Sequence, residues 1–291
     1  MTAADGLLVV DKPAGWTSHD VVARCRTLCG TKRVGHAGTL DPMATGVLVL
    51  GVGAATRLLG QLALHDKAYT ATIRLGQTTV TDDADGDVVE AVDASGICDD
   101  ALLRAVEDLT GDLEQRPSSV SAIKIGGSRA YQRVRAGEAV VLPPRSVTVS
   151  TFEVHDVRRH DGLLDVDVEV VCTTGTYVRA LARDLGAALG VGGHLTALRR
   201  TRAGRYDVSS ARSLQALERE VVVVPLASAA AQCFPTRQLD DEQASAVRHG
   251  RALPLELGAP GAVALFTAAG EFLALYDQHG AVAKAVAVFV S

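Results

Sequence analysis

Apolar and polar positions along the chain predict strands that are interrupted by helices at irregular intervals. Between residues 69 and 75, and again between 164 and 170, the two kinds of side chain alternate as in a half-buried strand. Apolar runs at 7–12 and 47–50 predict further strands. Helical spacing and capping residues predict helices at 18–29, 56–64, 102–109, 128–137 and 176–189. Because helices do not follow every strand, the order favours an α+β fold with a mostly antiparallel mixed sheet flanked by helices.

The last part of the chain has its own pattern. A short helix is predicted at 243–249, and glycine turns separate apolar runs at 262–266, 271–276 and 282–290. We therefore expect a small β-rich domain at residues 236–291 after a larger domain at residues 1–235. The alanine-rich sequence at 221–235 favours neither helix nor strand.

Composition indicates an ordinary globular protein, since 47% of the 291 residues are hydrophobic and 22% are charged. The apolar run near the start is too short for a signal peptide or a membrane span, so we expect a cytoplasmic protein without a membrane partner. Five scattered cysteines fit a reducing compartment. Cys25 and Cys29 lie four apart on a predicted helix, where core packing explains them better than zinc.

Charge is separated along the chain. The formal net charge of −5 argues weakly against nucleic acid, but the basic residues are clustered. One cluster comprises Arg24, Arg26, Lys32, Arg33 and His36, and residues 198–205 read LRRTRAGR. Acids concentrate at 82–87 and 99–100. Separate patches allow one face to bind a polyanion while the protein stays acidic, although each patch alone equally fits a solvated surface.

Residues 35–46, which read GHAGTLDPMATG, form the most informative stretch of the sequence. Pro42 biases Asp41 towards extended geometry, and the glycines allow conformations that other residues avoid. A single acid on such a loop suits a nucleophile or an electrostatic stabiliser, although an Asp-Pro turn alone is the simpler explanation. No second acid, histidine pair or cysteine pair stands beside Asp41, so we expect no metal.

Two other motifs are weaker. Residues 51–56, which read GVGAAT, follow a strand as a dinucleotide-binding loop does, but the third glycine position holds Thr56 and no acid follows near residue 75. Asp41 also resembles an aspartyl-phosphate site, in which a second acid two residues later holds magnesium. That position is Met43. A use of Asp41 without a cofactor fits better.

Four motifs occur together and in order: LVVDKPAGWTS at 8–18, GHAGTLDPMATG at 35–46, KAY at 67–69 and GTYVR at 175–179. From about residue 6 to 206 the chain closely resembles the bacterial tRNA pseudouridine synthase B family, which isomerises uridine 55 in the T-loop of tRNA. The resemblance implies a pseudouridine synthase catalytic domain and a PUA-like RNA-binding C-terminal domain. It implies no cofactor.

The same resemblance assigns the catalytic residues. Asp41 matches the catalytic aspartate, and Arg179 matches the arginine that pairs with it. Tyr69 matches the tyrosine that packs on the target base and assists proton removal, and Tyr177 matches the second active-site tyrosine.

The resemblance also implies RNA-facing residues. His36 matches the histidine that fills the gap left by flipped nucleotides, and Leu198 matches a leucine that contacts the base. Lys12 belongs to a motif that supports the catalytic loop, and Arg57 stands where relatives often carry lysine. We add Lys67, which opens the KAY strand, and the basic run as candidates for phosphate contacts; that run includes Arg199, Arg200, Arg202 and Arg205.

The implied chemistry breaks the N1–C1′ bond and joins C5 to C1′, so it is redox-neutral and needs an ionised carboxylate. A guanidinium about 4 Å from Asp41 would contribute roughly 4 kcal/mol at an effective dielectric near 20. We hypothesise that Arg179 is this partner. Because Tyr177 and Arg179 are two apart, both reach one site only if the segment enters its helix from extended geometry.

The sequence therefore predicts an isomerase that flips a uridine out of the T-arm of tRNA and acts as a monomer. Two alternatives stay open at this point. One is a tRNA-binding or tRNA-folding protein in which catalysis is secondary. The other is a small-molecule enzyme that uses residues 51–56 to bind a nucleotide.

Overall fold

The computed structural model describes residues 4–118, 124–125, 128–129 and 142–290. The strands are, in chain order, β1 Gly6–Lys12, β2 Val34–His36, β3 Thr45–Val52, β4 Lys67–Leu75, β5 Gln77–Thr79, β6 Val88–Ala91, β7 Gly111–Gln115, β8 Lys124–Ile125, β9 Ser128–Arg129, β10 Arg145–His160, β11 Leu163–Cys172, β12 Gly193–Ala203, β13 Tyr206–Asp207, β14 Arg212–Ser213, β15 Val224–Pro225, β16 Thr236–Leu239, β17 Val263–Thr267, β18 Phe272–His279 and β19 Val282–Val288. The helices are α1 Ser18–Cys29, a 3-10 helix Gly53–Leu58, α2 Leu59–Leu62, α3 Asp99–Asp108, α4 Val178–Ala188, α5 Leu214–Arg219, α6 Leu226–Cys233 and α7 Asp241–Arg248.

The chain folds as two compact units that we describe separately. The first unit comprises Met1–Asp41, Val47–Leu64 and Gly204–Ser291, and the second comprises Pro42–Gly46 and His65–Ala203. Strand β3 therefore starts in the second unit and continues in the first. The boundary expected near residue 236 stays a prediction.

Helix α1 of the first unit begins and ends at the residues that the sequence predicts. Thr17 and Asp20 form a capping box, in which the Thr17 hydroxyl accepts from the Asp20 N–H at 3.1 Å and the Asp20 carboxylate accepts from the Thr17 N–H at 2.9 Å. Gly30 ends the helix in the left-handed conformation, with a φ of 62°. The buried face of α1 includes Val21 and Cys25.

The C-terminal part of the first unit contains a four-stranded sheet in the order β16-β17-β18-β19. The β16–β17 pair is parallel and the other two pairs are antiparallel. Helix α7, which starts with its own capping box, packs on this sheet. The core between them contains Leu239, Val247, Leu265, Leu273 and Tyr276. A β-rich C-terminal segment is therefore confirmed.

The second unit is built on an antiparallel sheet in the order β12-β4-β11-β10-β7. Residues of β11 alternate between buried and partly exposed along its whole length, as the period of two predicts. Helix α4 packs against β12. Thr45 and Gly46 extend this sheet by pairing in parallel with Arg199 and Arg200 of β12.

The α+β class and the mostly antiparallel mixed sheet are confirmed. The helix expected at 56–64 is confirmed in part, because residues 56–62 form the end of a 3-10 helix and a single α-helical turn, α2. Two long strands, β10 and β12, were missed, because charged residues interrupt the apolar alternation of the first and the second was interpreted as a surface patch. The helix expected at 128–137 lies mostly outside the described residues, and Ser128 itself lies in β9.

The described helices are short. The longest, α1, has 12 residues, whereas a membrane span needs about 20 apolar residues. In the part of the chain that the structure describes, no helix is both long and apolar enough to cross a membrane.

Gly46 marks the closest approach between the loop after Asp41 and strand β12. Its φ is 101°, and a Cβ atom built there would lie 2.2 Å from the carbonyl oxygen of Arg200. Gly111 has nearly the same φ, 100°, but a Cβ there would meet nothing within 4 Å. The two glycines therefore share a backbone conformation that would strain any other residue, but they differ in the space available for a side chain.

We expect Gly111→Ala to lower the free energy of unfolding by about 1 kcal/mol, because only the positive φ opposes the methyl group. Gly46→Ala should lower it by roughly 1–3 kcal/mol more, since the loop or β12 must also move apart. Urea unfolding of both variants measures the difference. Equal losses would show that the loop does not depend on this close approach.

Candidate active site

The residue before Asp41 is fixed to the start of helix α1. The Leu40 N–H donates to the Ser18 hydroxyl oxygen at 2.8 Å, and that hydroxyl donates to the Leu40 carbonyl at 3.1 Å. Ser18 is buried, so these bonds are shielded from water. Asp41, which follows Leu40, is half-buried.

The residues after Asp41 are fixed to strand β12 within the second unit. Thr45 and Gly46 pair with Arg199 and Arg200, and a guanidinium nitrogen of Arg199 donates to the Thr45 hydroxyl at 3.3 Å. The loop that carries Asp41 thus has hydrogen-bonded residues on both sides of it. This agrees with the stiff presentation that the sequence predicts.

Lys12 is buried, with 0% of its surface exposed. Its ammonium group donates to the Pro13 carbonyl at 3.0 Å and to the Trp16 carbonyl at 2.6 Å. The side chain therefore closes the turn that leads into helix α1, whose Ser18 holds Leu40. These contacts agree with a supporting role for Lys12, and contact of Lys12 with RNA stays a prediction.

His36 ends strand β2 and pairs with Leu50 of β3. Its ring is half-buried and meets the ring of His19 edge to face, with centroids 5.6 Å apart and an interplanar angle of 81°. The sequence analysis did not identify His19, because this contact joins α1 to a separate strand.

Four of the predicted site residues lie on one face of the β4–β12 pair. Tyr69 lies directly opposite Arg200 and Leu198 lies opposite Ala71. Because directly opposed residues share a face and successive residues alternate, Tyr69, Leu198 and Arg200 lie on one side together with Lys67. All four of these site residues are buried.

Burial changes the expected role of the basic run. Arg200 is only 1% exposed, so it does not belong to a solvated patch, whereas Arg199 and Arg202 are partly exposed and Arg205 is exposed. The alternation of β12 separates them, since Arg199 lies opposite Thr70 and faces away from Tyr69. The run is therefore divided between two faces of the sheet.

Lys67 lies at the start of β4, opposite Cys172 and Ala203. Burial and, to a smaller extent, the nearby Arg200 together lower the pKa of its ammonium group to about 8. Burial in turn raises the pKa of the Cys172 thiol to about 11. This part of the site is therefore a low-dielectric region that holds two cationic side chains.

Arg179 is 5% exposed and lies in the first turn of helix α4. Its guanidinium donates to the Thr81 carbonyl at 2.8 Å and lies 3.3 Å from the carboxylate of Asp83, which is equally buried. Asp83 belongs to the acidic segment that the sequence analysis interpreted only as a loop. A buried ion pair of this kind orients the guanidinium.

The acid that precedes Asp83 also contacts helix α4. The carboxylate of Asp82 lies 3.5 Å from a guanidinium nitrogen of Arg183, one turn after Arg179. Burial raises the pKa of Asp82, and Arg183 opposes the increase. The start of the segment is therefore fastened to the helix that carries Arg179.

Tyr177 is the residue from which helix α4 starts. Its backbone is extended, with φ −104° and ψ 107°, and Val178 is the first helical residue. The extended entry that the spacing of Tyr177 and Arg179 requires is confirmed. A buried glutamine, Gln115, binds the backbone of Tyr177 and was missed, because the two residues are 62 positions apart.

Arg57 contacts the C-terminal end of the chain within the first unit. One guanidinium nitrogen donates to the Val288 carbonyl, and the group lies 4.7 Å from the centre of the Phe289 ring. Contact of Arg57 with RNA phosphate stays a prediction. The observed contacts also tie this side chain to the C-terminal strand of the first unit.

The predicted site residues fall in both units. The first unit contains Asp41, Lys12, His36, Arg57 and Arg205, and the second contains the others: Lys67, Tyr69, Tyr177, Arg179, Leu198, Arg199, Arg200 and Arg202. The pairing of Asp41 with Arg179 therefore stays a prediction.

The glycines at 51–56 have a structural explanation. A Cβ at Gly51 would lie 2.8 Å from the Ala55 carbonyl oxygen, and a Cβ at Gly53 would overlap the Asp5 carboxylate. Asp5 also places negative charge where a pyrophosphate would have to approach, which disfavours a nucleotide site. Within the described ranges there is no group of three or more His, Cys, Asp or Glu side chains that could hold a metal ion.

The chain is similar to solved structures of two multi-component complexes. One is described as an H/ACA RNP bound to a substrate RNA containing 2′-deoxyuridine; it is 25% identical, with a TM-score of 0.72, and the match covers 98% of this chain and 85% of that chain. A Cbf5-Nop10-Gar1 complex is 26% identical, with a TM-score of 0.74 and the same coverage.

Three protein-family models match this chain and indicate its class of enzyme. Residues 26–178 match the family described as TruB family pseudouridylate synthase (N terminal domain). Residues 179–231 match a tRNA pseudouridylate synthase B C-terminal domain, and residues 234–290 match tRNA Pseudouridine synthase II, C terminal. The fold and these matches are those of a pseudouridylate synthase.

Similar proteins extend the match over nearly the whole chain. A protein of Rhodococcus jostii is 58% identical over 97% of this chain and 93% of its own length, and one of Streptomyces griseus subsp. griseus is 55% identical over 99% and 98%. Both carry the name tRNA pseudouridine synthase B. The chain belongs to the TruB family of pseudouridylate synthases.

We expect Asp83→Asn to lower the free energy of unfolding by about 2 kcal/mol, because Arg179 loses a charged acceptor in a buried position. Asp85→Asn is the matched control: Asp85 lies in the same loop but is exposed, and it should change stability by less than about 0.5 kcal/mol. Urea unfolding measures both values. A neutral effect of Asp83→Asn would show that the buried pair does not fasten the loop.

The lowered pKa of Lys67 predicts that the stability of the protein depends on pH. Its folded-state pKa, about 8, lies below the ordinary value of 10.5. Between pH 8 and pH 10.5 the unfolded chain therefore binds more protons at Lys67 than the folded chain does. The unfavourable contribution of Lys67 is fully present below pH 8 and disappears as the pH rises towards 10.5. Lys67→Met should therefore be more stable than the wild type at pH 7, by about 2 kcal/mol, and this advantage should shrink above pH 8.

Urea unfolding at pH 7, 8, 9 and 10 tests this prediction. Lys284→Met, at an exposed position of β19, provides the control, and its difference from the wild type should stay constant over the same range. An advantage of Lys67→Met that does not change with pH would contradict the assigned cause.

Proposed function

We propose that this protein isomerises uridine 55 in the T-loop of tRNA to pseudouridine. The observation that carries the proposal is full-length similarity to proteins named tRNA pseudouridine synthase B, at 55–58% identity. A loop of fixed geometry that carries Asp41 supports it, since this loop has hydrogen-bonded residues on both sides.

Asp41 acts as the catalytic carboxylate in this proposal. It attacks the base or the sugar, or it stabilises the positive charge that develops on the sugar when the N1–C1′ bond breaks. The uracil then turns and its C5 bonds to C1′, while any bond to Asp41 breaks; C5 loses its proton and N1 takes one up, so the isomerisation is balanced. Arg179 keeps Asp41 ionised, and the buried Asp83 holds Arg179 in the orientation required for this pairing.

The shared face of β4 and β12 receives the flipped base. Tyr69 packs on the uracil ring and assists removal of the C5 proton, Leu198 contacts the base, and Tyr177 completes the pocket. Lys67 and Arg200 lie on the same face, and their positive charge favours the polyanionic substrate and the ionised form of Asp41.

Extrusion of the base costs a few kcal/mol, which other contacts must offset. His36 fills the vacated space, with His19 behind it. Arg199 and Arg202 bind the RNA backbone together with Arg57, and residues 236–291 form a PUA-like RNA-binding domain. We further propose that the protein acts as a monomer in the cytoplasm, where its five free cysteines would remain reduced.

Asp41→Asn tests the function directly. With an unmodified tRNA transcript and no added cofactor or metal, the wild type should convert uridine 55. The variant should lose roughly a thousandfold or more in rate, because an amide cannot replace an ionised carboxylate. Mapping of pseudouridine in the transcript measures both.

Binding of tRNA distinguishes the alternatives. Asp41→Asn should keep its affinity for tRNA, and Asp108→Asn, at an exposed position of α3, should keep full activity. If Asp41→Asn retains the wild-type rate, the catalytic assignment is wrong. If the wild type forms no pseudouridine but restores the structure of misfolded tRNA, the folding role replaces the proposed function.

A further inference from the structure

Gln115 is the last residue of strand β7 and is 4% exposed. Its side-chain oxygen accepts from the Tyr177 N–H at 2.8 Å, and its side-chain nitrogen donates to the Tyr177 carbonyl at 3.1 Å. One side-chain amide therefore pairs with both polar groups of one residue, as a neighbouring strand would do.

The backbone of Tyr177 depends on this pairing. Tyr177 is the N-cap of helix α4 and makes no side-chain capping bond. Its carbonyl also accepts the first helical bond, from the Leu181 N–H at 3.2 Å, while its N–H has the Gln115 oxygen as acceptor. Without Gln115, an extended residue at a helix start would lose a shielded hydrogen bond and the contact that fixes its direction.

A second contact joins the same two elements. A guanidinium nitrogen of Arg183, in helix α4, donates to the carbonyl of Arg116 at 2.8 Å. Arg116 follows Gln115 directly, so two consecutive residues at the end of β7 bind two parts of the helix. The end of β7 therefore holds both the start of α4 and its second turn.

We infer that Gln115 is a positioning residue for the reaction: its side-chain amide fixes the extended backbone from which Tyr177 and Arg179 project. The inference rests on the proposed function, because it concerns the roles given there to Tyr177 and Arg179. Gln115 touches neither substrate nor reacting atoms in this scheme. It acts through the backbone of Tyr177.

The inference requires one donor and one acceptor at the end of a side chain of this length. Ionised glutamate has the same shape but offers acceptors only, so Gln115→Glu would place a negative oxygen against the Tyr177 carbonyl. A protonated glutamic acid restores a donor. Burial beside a carbonyl raises the pKa of such a carboxyl group, so lowering the pH favours the protonated form that can donate.

Turnover of a tRNA transcript by Gln115→Glu, divided by that of the wild type at the same pH, is the decisive readout. At pH 8 we expect kcat to be about 10- to 100-fold below the wild type while the Kd for tRNA changes less than threefold. The ratio should rise by at least fivefold as the pH falls to 5.5. The effect of pH on the wild-type machinery cancels in this ratio.

Two further variants separate the amide pairing from general damage. Gln115→Met keeps the length but lacks both polar atoms, so it should be slow at every pH without recovery. Gln215→Glu introduces the same charge at an exposed position of α5 and should match the wild type throughout. If Gln115→Glu does not fold at pH 8, its recovery of turnover at pH 5.5, set against the flat profile of Gln115→Met, still tests the inference.

The outcomes distinguish the inference from the proposed function. If the wild type forms pseudouridine and both Gln115 variants stay within twofold of it, the inference is wrong and the function stands. A slow Gln115→Glu whose ratio to the wild type is flat with pH also overturns the inference, since any structural damage would produce it. If the wild type forms no pseudouridine, the proposed function itself fails.

Discussion

The position of a single loop is the constraint on which the site depends. Leu40 is bonded to Ser18 at the start of α1, and Gly46 approaches the Arg200 carbonyl too closely for any side chain. Asp41 lies between these two points in the chain, with Pro42 limiting its backbone. A carboxylate held in this way has little further freedom to lose, which suits the catalytic role that we propose for Asp41.

Buried charge is the second feature of the molecule. Arg200, Lys67 and Arg179 are cations with almost no exposure, although removal of a charge from water is costly unless other groups compensate. For Arg179 the compensation includes Asp83 and the Thr81 carbonyl. Placing such charges in a core contributes little to stability, so their arrangement is better explained by the requirements of a site.

Local signals in the sequence predicted the elements that local chemistry controls. The capping box at Thr17, the left-handed Gly30 and the alternation of β4 and β11 each follow from a few neighbouring residues. Resemblance then gave the family and the site residues. Strand β12 was hidden because its arginines resemble a surface patch, and Asp83 and Gln115 were missed because their partners lie 96 and 62 positions away in the chain. Contacts of that kind depend on the folded topology.

The first unit contains both the beginning and the end of the described chain. Strand β1 takes its partners β14 and β15 from residues beyond 211, and Arg57 meets Val288 and Phe289. During synthesis, the second unit leaves the ribosome complete while the first still lacks about three fifths of its residues. The unit that carries Asp41 is therefore completed last, so an unfinished chain would already contain every strand of the β12-β4-β11-β10-β7 sheet while the unit that carries Asp41 was still incomplete.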